Sequence, residues 1–205
     1  MEREFYERYL PHWYPPGATL FLTMRLAGSL PVEIVAQLQL VLRQAREAAK
    51  DEQAALQAIS RQHFGRVDTF LDAGLPSSPQ WLAEPVVIQL VLESMRWISQ
   101  RGDFALLAAC VMPNHLHAVL TLPLELSKPF EETLRDFKHY TALHANRLLR
   151  RTGAFWQPET YDHVLRDSAD GSRLARAISY VLNNPVKAGL CREWPEWPGT
   201  WCAPT

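Results

Sequence analysis

At 205 residues, with 47% hydrophobic and 21% charged side chains and a formal net charge of -1, the chain has the composition of a globular protein with a sizeable core. That composition excludes a disordered polymer, and no apolar run reaches membrane-spanning length. Cys110, Cys191 and Cys202 are odd in number and lack metal-type spacing, which argues against a disulfide framework.

The start, Met1 to Phe5, is charged and carries no apolar signal core, so the expected compartment is the cytoplasm. Charge is unevenly spread. Residues 133–192 hold ten basic side chains against five acidic ones, a balance that suits either a solvated surface or a phosphate track.

In chain order, residues 10–17 are too rich in proline for regular structure. Ala18 to Leu26 reads as a strand. Ser29 and Pro31 suit a helix start, and Ile34, Leu38, Val41 and Ala45 recur at helical spacing, which predicts a helix running to about Gln62. Asp72 to Pro79 reads as a loop. Pro85 fits the first turn of a second helix, with Val87, Val91, Ser94 and Ile98 on one face and Gly102 at its end. Phe104 to Val111 and His115 to Leu122 read as antiparallel strands joined at Met112-Pro113-Asn114.

A third helix is predicted from Phe130 to Arg151, with Leu134, Phe137, Thr141, Ala145 and Leu148 inward and Arg135, Lys138, His139, Arg147 and Arg150 outward. Gly153 to Pro158 breaks it. Tyr161 to Leu165 reads as a short strand, and Ser172 to Asn183 as a last helix ended by Pro185. Trp194, Trp197 and Trp201 lie in a tail expected to pack irregularly. Strands joined by tight turns and interleaved with helices predict an α+β protein with an antiparallel sheet. We expect one domain over residues 1–205, with a helical insertion at about 29–79 and a Pro/Trp-rich tail at about 191–205.

Two stretches carry chemistry. In the strand beginning at His115, side chains alternate between faces, so His115 and His117 share one face as two-thirds of a metal site. Tyr180 and Asn184 are four apart, hence on one helix face with Cβ atoms about 5–6 Å apart. An Asn184 carbonyl meeting the His pair would complete an open, three-ligand site of the kind catalytic metals use. Tyr180, one turn away, would then be the nucleophile, its phenol needing activation because its ordinary pKa is about 10. Tyr140 and Tyr161 are rivals, but neither has a ligand-type partner one turn on. His163 is a further candidate ligand. No Gly-Lys pair occurs, so a phosphate-cradling loop of the ATPase type is absent.

Val111-Met112-Pro113-Asn114-His115-Leu116-His117 resembles the signature of the single-tyrosine HUH transposases. Pro16 to Thr19, Gly153 to Gln157 with Asp162 and Arg166-Asp167, and Tyr180 to Leu190 narrow the resemblance to REP-associated tyrosine transposases. The resemblance implies a ferredoxin-like antiparallel sheet with helices packed on one face. It implies cleavage and rejoining of single-stranded DNA beside palindromic hairpins, leaving a 5′-phosphotyrosyl link and a free 3′-OH. Carried over by motif, Tyr180 is the nucleophile, and His115, His117 and Asn184 are ligands of Mg²⁺ or Mn²⁺. Arg135, Lys138, His139, Arg147, Arg150, Arg151 and Lys187 become the expected DNA-binding set, in a nucleoid-associated monomer or homodimer. A domesticated protein that binds hairpins without cutting them is the alternative.

Overall fold

The computed structural model describes residues 5–7, 11–48, 62, 65–75, 78–165 and 171–204. Strands β1 (Phe5–Glu7) and β2 (Pro11–Trp13) pair antiparallel as a small separate ladder. Regular structure therefore enters the proline-dense stretch, because Pro11 lies in an edge strand that needs no second partner for its missing N–H.

The main sheet is built from β3 (Thr19–Leu26), β4 (Ala105–Val111), β5 (His115–Thr121), β6 (Trp156–Val164) and β7 (Thr200–Cys202). Its order is β6-β3-β5-β4-β7, all antiparallel. The helices are α1 (Val32–Ala48), α2 (described over 65–72), α3 (Pro85–Gln100), α4 (Phe130–Leu148) and α5 (Ser172–Lys187). The succession β3-α3-β4-β5-α4-β6 is the ferredoxin-like arrangement expected from the motifs, with β7 added outside β4. The rest of the long helix predicted to about Gln62 lies mostly outside the described residues.

β5 is the central strand, and nearly all of it is buried on both faces, which is why its sequence is apolar apart from His115, His117 and the terminal Thr121. Leu116, Ala118 and Leu120 point into a core formed with α3 and α4, among Val87, Val91, Leu134 and Phe137. His115, His117 and Val119 point the other way. There Val119 packs with Cys110, Val181 and Leu182 under α5. Leu30, Leu38, Val67 and Leu71 form a third cluster that fastens α1 and α2 to Tyr161 of β6.

Helices thus cover both faces, not one. The ferredoxin pair α3 and α4 takes one side, and α5 with the insertion takes the other, because both faces of β5 and β3 are apolar enough to need cover. Leu120 is completely buried on the α3/α4 side, so Leu120→Ala is expected to lower unfolding stability by about 2–5 kcal/mol. Urea denaturation measures this.

Three further boundaries differ from expectation. β6 starts at Trp156, despite Pro158, because the register shifts between Met24 and Leu26 and the proline falls in that irregular stretch of an edge strand. α5 runs through Pro185 to Lys187. The proline removes one bond only in the last turn, and Gly189 at φ +71° closes the helix. The tail is ordered by β7 and by the Trp197 indole, which donates to the Val111 carbonyl at 2.8 Å. Gly199 makes this approach possible, since a Cβ there would lie 2.3 Å from the same carbonyl oxygen. Leu148, expected inside, is 52% exposed where α4 ends.

Candidate functional site

The site forms where the α5-facing side of β5 meets α2 and α5. His115 and His117 are both completely buried, with Nε2 atoms 2.9 Å apart. The Pro-Asn turn sets the first ring. Asn114 Nδ2 donates to the Leu71 carbonyl (3.0 Å) and to Ser78 Oγ (3.2 Å). A carbonyl only accepts, so Asn114 must present its Oδ1 to His115 Nδ1, 2.6 Å away. His115 therefore carries its proton on Nδ1 and a lone pair on Nε2. His117 Nδ1 lies 2.6 Å from Thr23 Oγ1, its cross-strand neighbour on β3. Burial and the neighbouring His117 hold the His115 pKa well below the usual imidazole value, so it is a neutral ring.

Two carboxylates from α2 close over this pair. Asp68 Oδ1 is 3.1 Å from His117 Nε2, and Asp72 Oδ1 is 3.7 Å from His115 Nε2. One ligand-type atom from each of the four residues falls within 4.8 Å of all the others. Burial and the adjacent Asp68 push the Asp72 carboxyl above the usual range. Asp68 Oδ1 and Asp72 Oδ1 are buried and accept no hydrogen bond. Paired imidazoles and unsatisfied carboxylate oxygens form a donor set that fits a divalent metal ion.

Tyr180 reaches the same place from α5. Its hydroxyl donates to Asp68 Oδ2, and its ring lies 5.8 Å from that of His117. Lys187 lies 5.0 Å from the centre of the Tyr180 ring and 3.5 Å from Asp72 Oδ2. A shallow depression of about 430 Å³ opens beside these groups, lined by Arg176, Ser179, Tyr180, Asn183, Val186 and Lys187. A cavity of about 460 Å³ between α3 and α4 is on the opposite side of the sheet and has no part in this geometry.

Of the rival groups, Tyr140 is on the far side of the sheet, while Tyr161 and His163 share the face of the histidine pair, opposite Thr23 and Phe21 of β3. Tyr140 is half-exposed on α4, its ring tilted against that of His144 with centroids 4.3 Å apart. Burial raises the Tyr161 pKa, while Arg25 lowers it by charge and by hydrogen bonding. His163 stacks on Phe21 at 5.3 Å.

Asn184 is completely buried on α5, and neither its Oδ1 nor its Nδ2 has a hydrogen-bond partner. Such a group costs about 1–3 kcal/mol unless something meets it.

The basic residues separate into three groups. Arg135, His139 and Arg147 are exposed on α4, and Arg150 in the turn just past its end, on the far side of the sheet from the histidines. Lys138 and Arg151 are occupied within the fold. Lys138 donates to the carbonyls of Gln157, Pro158 and Glu159. The Arg151 guanidinium lies 3.4 Å from the centre of the Trp81 ring and bonds to the side chain of Asn146. Of the expected set, Lys187 stands beside the histidines. Asp68 and Asp72 were not foreseen, since Asp72 was read as loop and the insertion had no role. The available signal was a pair of carboxylates four residues apart, each directly following a buried apolar residue, Val67 and Leu71.

A ferredoxin-like sheet whose central strand presents buried His-x-His rings to a tyrosine-bearing helix agrees with the fold that the motif resemblance implied. Comparison with known proteins narrows the similarity. A Haemophilus influenzae protein assigned as a REP-associated tyrosine transposase is 30% identical over 105 residues, covering 46% of this chain and 57% of that protein. The REP-associated tyrosine transposase of Escherichia coli K12 is 26% identical over 113 residues, covering 54% and 61% respectively. The matched stretches thus span less than two thirds of the length of these curated relatives. A solved structure of a REP-associated tyrosine transposase bound to a REP hairpin superimposes with a TM-score of 0.51 at 19% identity, covering 95% of this chain and 80% of that one. No family model matches. The chain is similar in sequence to REP-associated tyrosine transposases and has their fold, as its motifs led us to expect. Among the described residues, no helix is long and apolar enough to cross a membrane.

Proposed function

We propose that this protein cleaves and rejoins single-stranded DNA beside hairpin sequences through a covalent tyrosine ester. The observation that carries the reading is the Tyr180 hydroxyl seated on the carboxylate that faces the buried histidine pair. His115 and His117 hold the metal, with Asn184 as the further ligand carried over by motif. A bound Mg²⁺ or Mn²⁺ ion supplies charge that polarises a phosphodiester oxygen and stabilises the negative charge building on it.

The chain's own groups do the rest. Asp68 Oδ2 receives the phenolic proton as the Tyr180 oxygen forms its bond to phosphorus, and the bond from phosphorus to the 3′-oxygen breaks. The departing strand takes a proton from water and leaves as a free 3′-OH, while the 5′ side stays on Tyr180. Reversal returns the proton from Asp68 to the phenol. The ester conserves the phosphodiester's energy, so rejoining needs no nucleotide cofactor. Lys187 and Arg176 beside Tyr180 offer charge to the flanking phosphates. The exposed cations of α4 would engage a more distant part of the hairpin.

The test is incubation with a single strand carrying a hairpin and unpaired flanks, plus Mn²⁺, followed by a denaturing gel. A protein–DNA adduct is the expected product. Hairpin binding that weakens steeply with salt, with no adduct under any divalent ion, would leave the non-cleaving alternative in its place.

A further inference from the structure

We propose that the helical insertion supplies two further metal ligands, with Asp68 and Asp72 coordinating the same ion as His115 and His117. This rests on the metal-dependent reading above and names ligands that the motifs do not contain. Asp68 and Asp72 are separated by one helical turn, so both carboxylates leave the same face of α2. The adjoining face of that turn is anchored, since Val67 and Leu71, each just before one of the aspartates, pack with Leu30 and Leu38. The two carboxylates are therefore held inward by the core beside them.

Asp68 is only 3% exposed, yet its Oδ1 makes no hydrogen bond and points at His117 Nε2 from 3.1 Å. Asp72 repeats the arrangement with His115 at 3.7 Å. Each carboxylate has its second oxygen on an α5 side chain, Asp68 with Tyr180 and Asp72 with Lys187. The outward oxygens are thus satisfied by the reactive helix, while the inward ones converge with two imidazole nitrogens on one point. A cation there satisfies all four and removes the repulsion between adjacent buried carboxylates.

The chemistry also matches the ion. Imidazoles alone are soft for Mg²⁺ or Mn²⁺, and carboxylate oxygens are the donors these ions prefer. Asn114 holds both halves together. Its amide fixes the His115 ring through Oδ1 and grips the α2 carbonyl of Leu71 through Nδ2. That makes it a positioning residue for ligands on two separate elements.

The experiment is Mn²⁺ titration of the full chain, following loss of the free-ion electron paramagnetic resonance signal. The proteins are wild type, Asp68→Asn, Asp72→Asn and His117→Ala, each checked by circular dichroism. Asn keeps the shape of Asp and removes the charge. Each Asp→Asn variant is expected to bind Mn²⁺ at least about tenfold more weakly. Asp72 lies at the rim, so its variant gives a reading even if Asp68→Asn fails to fold. Wild-type affinity in Asp72→Asn, and in Asp68→Asn where it folds, together with loss in His117→Ala, overturns the role of the insertion and leaves the nicking reading standing. No divalent-ion binding by the wild type overturns both.

Discussion

Tyr180→Phe is expected to abolish the covalent DNA adduct while leaving hairpin affinity within a few-fold of wild type. The substitution removes one oxygen, the atom that would form the phosphoester bond, and keeps the ring that lies 5.8 Å from His117 and 5.9 Å from Phe21. The hydroxyl also donates to Asp68, so stability should fall by about 1.5–3 kcal/mol, the range for a hydrogen bond to a charged group. Adduct yield on a denaturing gel reads the first effect, a mobility-shift titration the second and urea unfolding the third. An adduct of undiminished yield would reassign the nucleophile. Tyr140 and Tyr161 are the rivals to test next.

His115→Ala is expected to eliminate adduct formation and to weaken Mn²⁺ binding more than tenfold. The ring is completely buried, and its loss has two consequences. An Nε2 donor disappears from the point where four ligand atoms converge. Asn114 Oδ1 also loses its donor, leaving a buried acceptor that costs about 1–3 kcal/mol. Asn114→Ala separates the two consequences, because it leaves every ligand in place and removes only the support. It should lower metal affinity by about 10–100-fold, the usual range for an outer-shell partner. Adduct formation should recover at high Mn²⁺ in Asn114→Ala and stay absent in His115→Ala, and that contrast distinguishes a ligand from the group that orients it.

The histidine face was legible because a strand's period of two is rigid. Once His115 to Leu122 reads as a strand, His115 and His117 must share a side. The last helix was legible for the same kind of reason, and it does bring Tyr180 to the pair. The aspartates were not legible. Two acids one turn apart are common on solvated helices, and only the packing of Val67 and Leu71 against α1 turns these inward. β7 was hidden by its three-residue length, too short to show a period. What places it is the close approach of Gly199 to the Val111 carbonyl, a tertiary contact. Lys138 shows the converse error. On a helical wheel it belongs with the exposed cations, but its amine is bound by three carbonyls of the neighbouring strand segment.

The groups at the centre come from three distant stretches of the polypeptide, with 112 residues separating Asp68 from the Tyr180 hydroxyl it receives. A chain still emerging from the ribosome, or a fragment left by proteolysis ahead of the last helix, has imidazoles without their tyrosine. On the nicking reading proposed above, such a species lacks its nucleophile, so the proposed centre is assembled only once α5 has been made and has docked.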